Sequence, residues 1–148
     1  MTDTDAQTLR PFFEAFERSA AASDTEGLAR LYAPTLLVAG PNGAQVVKLT
    51  DLLLAVPKRK QLFEAMGCGS ARLVALREIK LDERYTLVHA DWQWRFRSEG
   101  QTPTELTLPS TFIVQRSSGD PRIIFYLMHQ DIMSVLRERG LLPADPSS

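Results

Sequence analysis

Apolar residues recur with two different periods along this chain. From residue 71 onward the period is two, which predicts strands over 71–81, 86–97, 105–116 and 122–130, with turns at 98–103 and 117–121. A short helix is expected over 132–139, and residues 143–148 are expected to form a loose tail. In the first third the period is three to four, which predicts helices that bury one face; the first such stripe is Leu9, Phe12, Phe13, Phe16 and Ala20.

Residues typical of helix starts and helix ends divide the first third of the chain into separate helices. Ser23 and Glu26 have the spacing of a capping box, which would begin a second helix, and Pro34 would end it. A third helical stretch begins near Thr50, and Pro57 is expected to interrupt or restart it. The sequence therefore predicts separate short helices before the long strands.

The order of these elements predicts an α+β fold. Residues 41–43, Pro-Asn-Gly, favour a turn between a strand over 35–39 and a returning strand over 44–49, because Asn and Gly accept positive φ angles. The later strands follow one another through short turns, so they are expected to pair as an antiparallel sheet. Helices that precede such a sheet can pack on one of its faces.

The last strand carries a signal of association. Residues 123–128 are apolar at every position, whereas a strand in a sheet covered on one side should alternate. No further long helix follows that could cover the second face. A second copy of the chain is the simplest cover, so the sequence predicts a homodimer formed through the sheet.

Composition narrows the class of protein. The 148 residues fit a single domain, and an apolar fraction of 44% is enough for a core without disulfides. The net charge is −1, with basic residues scattered, which argues against a nucleic-acid partner. The acidic start and the lack of a long apolar run predict a cytoplasmic protein with no membrane contact. Cys68 is alone, so neither a disulfide nor a metal site is expected, and no cofactor motif is present.

Two segments resemble the NTF2-like superfamily, in particular its SnoaL-like and ketosteroid-isomerase-like branch. Residues 13–41, FEAFERSAAASDTEGLARLYAPTLLVAGP, are similar to the helices and first strand of that family. Residues 121–143, PRIIFYLMHQDIMSVLRERGLLP, are similar to the last strand, aspartate and tail of SnoaL-type polyketide cyclases. The resemblance implies one domain over 1–148, in which a curved antiparallel sheet wraps around the N-terminal helices as a cone with a central pocket.

Asp131 is the first candidate for chemistry. It closes an apolar strand, where a carboxylate is costly unless it is hydrogen-bonded or faces a wet pocket. The matching aspartate of SnoaL-like cyclases acts as an acid or base, which the resemblance implies here. The competing interpretation is that Asp131 only caps the helix that follows it.

His89 and Asp91 form a second candidate pair. They stand two positions apart on a predicted strand and therefore share a face, where His89 could move a proton and Asp91 could orient it. The alternative is that this face is solvated, while the face with Trp92 and Trp94 is buried.

Two activities found in the family are not expected. The general-base aspartate of ketosteroid isomerase would fall at Gly40, its oxyanion-hole tyrosine near Phe16 and its second oxyanion acid near Ser110. The water-positioning tyrosine and asparagine of limonene epoxide hydrolase would fall near Val38 and Gly40. Neither isomerisation of that kind nor epoxide hydrolysis is therefore predicted.

The function predicted from the sequence is binding of a small, mostly apolar or aromatic molecule in the cone. Cofactor-free acid–base isomerisation or cyclisation is the catalytic form of this hypothesis, and a non-catalytic ligand-binding or protein-interaction module is the alternative. The residues expected to contact the ligand are aromatic, namely Phe16, Tyr32, Trp92, Trp94, Phe112 and Tyr126.

Overall fold

A computed structural model describes residues 9–65, 67–69, 71–96, 104–116 and 120–138. The chain has ten elements in these ranges. The predicted turn at 98–103, residues 117–119 of the predicted turn at 117–121, and the predicted tail at 143–148 lie outside the described residues. The helices are α1 (Arg10–Ala22), α2 (Thr25–Ala29), α3 (Leu49–Ala65) and α4 (Ile132–Glu138). The strands are β1 (Tyr32–Gly40), β2 (Gly43–Lys48), β3 (Arg72–Lys80), β4 (Tyr85–Phe96), β5 (Thr104–Gln115) and β6 (Arg122–Met128).

The predicted α+β fold is confirmed, with one difference in the sheet. The strand order is β2-β1-β6-β5-β4-β3 in a single curved sheet of six strands. Neighbouring strands are antiparallel except β1 and β6, which are parallel. The sheet is therefore mixed, because α3 carries the chain from the β1–β2 hairpin to the far edge, and the strands then return until β6 reaches β1.

The first hairpin forms where the sequence predicted it. Gly40 pairs with Gly43, so Pro41 and Asn42 make a two-residue turn. Gly43 has a φ of 133°, which lies in a region that L side chains rarely adopt. Glycine at this position therefore allows β2 to return directly along β1.

The predicted capping box at Ser23 is wrong. Ser23 has φ 51° and ψ 40°, and this left-handed residue ends α1. Asp24 caps α2 instead, because its Oδ1 accepts a hydrogen bond of 3.0 Å from the Gly27 amide. Because Ser23 is the C-terminal cap of α1, the next residue, Asp24, provides the side-chain oxygen that caps α2.

The expectation that Pro57 divides the third helix is also wrong. Pro57 lies inside α3, which continues for 17 residues. Proline removes one backbone donor and frees the carbonyl four residues earlier. Pro57 is exposed, so water can satisfy that carbonyl and the helix continues.

The core lies between the helices and one face of the sheet. The Phe13 ring of α1 packs against Phe112 of β5, with ring centroids 5.0 Å apart. Both side chains are fully buried. A second cluster closes the other end of the sheet around Phe63, Phe96 and Leu136. Between these two packed regions the structure leaves an open volume.

Candidate functional site

A cavity of about 340 Å³ lies between α1, α3 and the sheet. Its walls come from separate parts of the chain, so only the folded structure creates it. The sheet contributes Trp92 and Trp94 of β4 and Tyr126 of β6. The α1 helix contributes Phe16, and its Ala20 and Ala21 leave room beside that ring.

The α3 helix presents one face to the cavity. From the first lining residue of α3 to the fifth, the steps along the chain are three, one, three and one residues, which is the spacing of a single helical face. Phe63 is buried on this face and Arg59 is exposed, so Arg59 lies where the cavity opens to solvent. The five lining residues are Val56, Arg59, Lys60, Phe63 and Glu64.

Aromatic rings hold one another in place around the cavity. The Phe16 ring lies 5.6 Å from Trp92 and 5.8 Å from Tyr32, measured between centroids. Phe63 meets Trp94 edge to face at 5.2 Å. The indole N–H of Trp92 donates to Ser110 Oγ at 2.8 Å, which satisfies a buried donor and fixes that ring. These contacts give the cavity a preformed, mostly apolar wall.

Polar side chains also line the cavity, and three of them, Tyr32, Tyr126 and Arg59, act on one another. Burial raises the pKa of Tyr32 far above its ordinary value, and the nearby Tyr126 raises it further, while Arg59 opposes the shift. Burial likewise raises the pKa of Tyr126, opposed by the charge of Arg59 and by a hydrogen bond from it. Both phenols therefore remain protonated at neutral pH, beside a guanidinium.

The thiol of Cys68 also faces the cavity. Burial raises its pKa to about 11, and the charge of Arg59 reduces the shift. Its Sγ donates to the Gly69 carbonyl at 3.1 Å. A thiol in this state is a poor nucleophile near neutrality, because the thiolate is the reactive form.

The structure brings together five of the six aromatic residues expected to contact a ligand. Phe16, Tyr32, Trp92, Trp94 and Tyr126 all line the cavity. Phe112 does not. Its ring is fully buried behind that wall and packs 4.6 Å from Tyr126.

Asp131 lies at the start of α4 and is not a cavity-lining residue, although Gln130 and Ile132 on either side of it are. The Ser134 hydroxyl donates to Asp131 Oδ2 at 2.9 Å. The Asp131 carbonyl accepts from the Val135 amide at 3.1 Å. These contacts are those of a residue that begins a helix.

His89 and Asp91 lie on the opposite face of β4 from the cavity. The residues between and beside them, Val88, Ala90 and Trp92, are buried under the helices. His89 Nδ1 lies 2.9 Å from Thr111 Oγ1, and the same oxygen lies 2.6 Å from His129 Nε2. The outer face thus holds a His–Thr–His cluster that the cavity does not reach.

Sequence reasoning did not place Arg59, Glu17 or Ser23 at the cavity. Arg59 could have been found from its helical spacing to Val56 and Phe63. Glu17 Oε2 accepts the Leu73 amide at 2.6 Å, a contact between distant segments that no local pattern reveals. The Ser23 hydroxyl is buried at the cavity wall and has no hydrogen-bond partner among the described residues.

Within the described ranges, no group of three or more His, Cys, Asp or Glu side chains is arranged to hold a metal ion. No helix in those ranges is both long and apolar enough to cross a bilayer.

Comparison with known proteins identifies the fold. No protein-family model matches the sequence, and none of the curated proteins matches it. An NTF2-like protein with a cystatin-like fold from Novosphingobium aromaticivorans is 13% identical, with a TM-score of 0.70 over 95% of this chain and 90% of its own.

Two further solved structures agree. A protein of unknown function with a cystatin-like fold from Nostoc punctiforme is 14% identical, with a TM-score of 0.65, and the match covers 95% of this chain and 92% of that one. An NTF2-like protein of unknown function in nutrient uptake from Rhodospirillum rubrum is 16% identical, with a TM-score of 0.61 over 83% of this chain and 98% of its own. The fold predicted from the sequence is thereby confirmed, and this chain has the NTF2-like, cystatin-like fold.

Proposed function

We propose that the protein binds a small, mostly apolar molecule in the cavity of its cone. The observation that carries this proposal is the cavity wall itself, where Phe16, Phe63, Trp92 and Trp94 face an open volume of about 340 Å³. Apolar rings that line an open volume gain free energy when a ligand excludes water from them, by roughly 25 cal/mol per Å² of apolar surface. A flat aromatic molecule would meet rings on several sides.

The positions of the three acid–base candidates suggested by the sequence support ligand binding better than they support catalysis. Asp131 lies at the start of a helix and its carboxylate accepts from the Ser134 hydroxyl, and His89 and Asp91 lie on the other face of the sheet. A general acid or base must come within hydrogen-bond reach of its substrate. A ligand inside the cavity would not meet these three side chains.

Titration with naphthalene tests the proposal. Both tryptophans of the chain line the cavity, so their indole N–H resonances in a ¹⁵N-labelled sample report on its contents. We expect both signals to shift with saturation, and the variant Ala21→Phe, which fills the space beside Phe16, to abolish the shift. Indole signals that do not move up to the solubility limit of naphthalene would contradict the proposal.

We also propose that a second copy of the chain covers the outer face of the sheet. One residue from each strand forms a continuous apolar row on that face, in which each residue pairs with the next from β2 to β3. Three members are exposed: Val46 at 70%, Ile79 at 44% and Leu37 at 38%. Together with the half-buried Phe125, Ile113 and Leu87, these residues define the outer apolar row.

The row crosses the whole width of the sheet, so a second sheet can stack on it face to face. Contiguous exposed apolar surface of this kind marks an interaction site. Because the same row is present on every copy, self-association needs no other partner.

A further inference from the structure

We propose that Tyr32, Tyr126 and Arg59 bind an oxyanion carried by the apolar ligand, so that the preferred ligand is an aromatic or polycyclic carboxylate or a similar acid. This inference rests on the proposed function, because the apolar walls would hold the rest of the molecule. It adds a charged group to the ligand and names the side chains that bind it.

The three side chains come from different elements and meet at one cavity. Tyr32 begins β1, Tyr126 lies on β6, and Arg59 projects from α3. The parallel pairing of β1 with β6 holds the two strands side by side. Phe16 packs 5.8 Å from Tyr32, and Phe112 packs 4.6 Å from Tyr126, so both phenol rings are fixed by their neighbours.

The Arg59 guanidinium is held over the cavity by aromatic rings. Its central carbon lies 5.1 Å from the Phe63 ring centroid and 6.0 Å from that of Trp94. Arginine often stacks on aromatic faces in this way, and its N–H donors still point outward in the plane of the group. The rings position Arg59, and no carboxylate pairs with it in the described part of the chain.

The groups that converge here are hydrogen-bond donors. A guanidinium has no acceptor, and a protonated tyrosine hydroxyl that accepts from Arg59 keeps its own proton to donate. The charge of Arg59 acts on the Tyr126 phenol, and burial raises the pKa of that phenol, so its proton is kept. Among the described residues no acceptor is seen for either phenol proton, so these donors favour a ligand oxygen, and the cation favours one that is negatively charged.

Other charges at the cavity do not remove this preference. Glu17 and Glu64 also line it, together with Lys60. The Glu17 carboxylate already accepts the Leu73 amide at 2.6 Å, and Glu64 is exposed. Arg59 is therefore the cation that acts on both phenols, and the site for an oxyanion lies beside it.

The test compares naphthalene with 2-naphthoate, which has the same rings and one carboxylate. At pH 7 we expect 2-naphthoate to bind at least about tenfold tighter, since a charge-assisted hydrogen bond has that effect or more. Arg59→Met and Tyr126→Phe should each weaken 2-naphthoate binding by about tenfold and change naphthalene binding by less than about threefold.

Tyr85→Phe is the matched control, because Tyr85 is the third tyrosine of the chain and does not line the cavity. It should leave both affinities unchanged. If naphthalene binds and 2-naphthoate binds no tighter, the oxyanion site is refuted while the proposed function stands. If neither binds, the proposed function fails as well. Equal losses for both probes in Tyr126→Phe would show a packing defect and would also refute the assignment.

Discussion

Leu37 of β1 and Phe125 of β6 are direct neighbours across the parallel strand pair, on the sheet face away from the helices. Leu37 pairs on its other side with Val46, and Phe125 pairs with Ile113. Paired residues share a face of the sheet, so these contacts build the outer apolar row. Residues 123–128 are apolar on both faces of β6, as noted from the sequence. One face contacts the cavity and the core, and the other face contributes to the outer apolar row.

Leu37→Lys should convert a dimer into a monomer. Leu37 is already 38% exposed, so a lysine there can reach water in the monomer but would place a charge inside a face-to-face interface. Sedimentation equilibrium at micromolar concentration measures the result. The control is Leu54→Lys, which adds the same charge at a residue that is 70% exposed on α3. A monomer before any substitution, or dissociation in both variants, would contradict the interface.

Variants of Asp131 separate a helix cap from a catalytic acid. Asp131→Ala should lower the free energy of unfolding by about 1 kcal/mol, because an N-cap oxygen is lost. Asp131→Asn should change it little, since asparagine caps helices about as well as aspartate. Urea denaturation measures both. We expect neither variant to change the affinity for 2-naphthoate, and a loss of that affinity in Asp131→Asn would favour the acid–base hypothesis.

Ser23→Gly should stabilise the fold by about 1 kcal/mol, because glycine adopts a left-handed φ without the steric cost that other residues have. The Ser23 φ is 51°, and its buried hydroxyl has no partner in the described part of the chain. Thermal unfolding measures the gain. Ser23→Ala serves as the control, because it removes the hydroxyl and keeps the backbone cost. A lower melting temperature for Ser23→Gly than for the natural protein would show that the hydroxyl is bonded.

Alkylation of Cys68 should be slow and should report on the cavity. The chain has one cysteine, and its pKa is raised to about 11 by burial. At pH 8 the thiolate fraction, and with it the rate with iodoacetamide, should be at least about 100-fold lower than for free cysteine. The rate should rise with pH up to about pH 11, where the thiol ionises.

Saturating 2-naphthoate should slow this reaction further, because Cys68 lines the cavity. Mass spectrometry follows the modification, and free cysteine with the same ligand is the control. A rate equal to that of free cysteine at pH 8 would contradict the buried position of the thiol.

The sequence predicted the elements whose side chains follow a regular period. The alternation along β4 separated its two faces, because burial repeats every second residue on a strand, and the structure buries the face with Val88, Ala90 and Trp92. The helix boundaries were less predictable. Ser23 and Asp24 both suit a cap, and the choice depends on how the preceding helix ends.

The polar part of the candidate site could not be predicted. Arg59 lies 27 residues from Tyr32 and 67 from Tyr126 in the numbering, and no local pattern joins them. Their meeting depends on α3 crossing the sheet and on β1 pairing with β6. The sequence correctly singled out Asp131 as a carboxylate between an apolar strand and a helix. A carboxylate at that position is expected in the sequence whether it caps the helix or acts in catalysis.

Xenon under pressure tests the central claim, which is that a ligand-sized hollow lies between α1, α3 and the sheet. Apolar cavity walls bind xenon, and its electron density locates it in a crystal. We predict xenon among Phe16, Phe63, Trp92 and Trp94, within the volume of about 340 Å³. An interior in which side chains fill that space and no xenon enters would contradict the account.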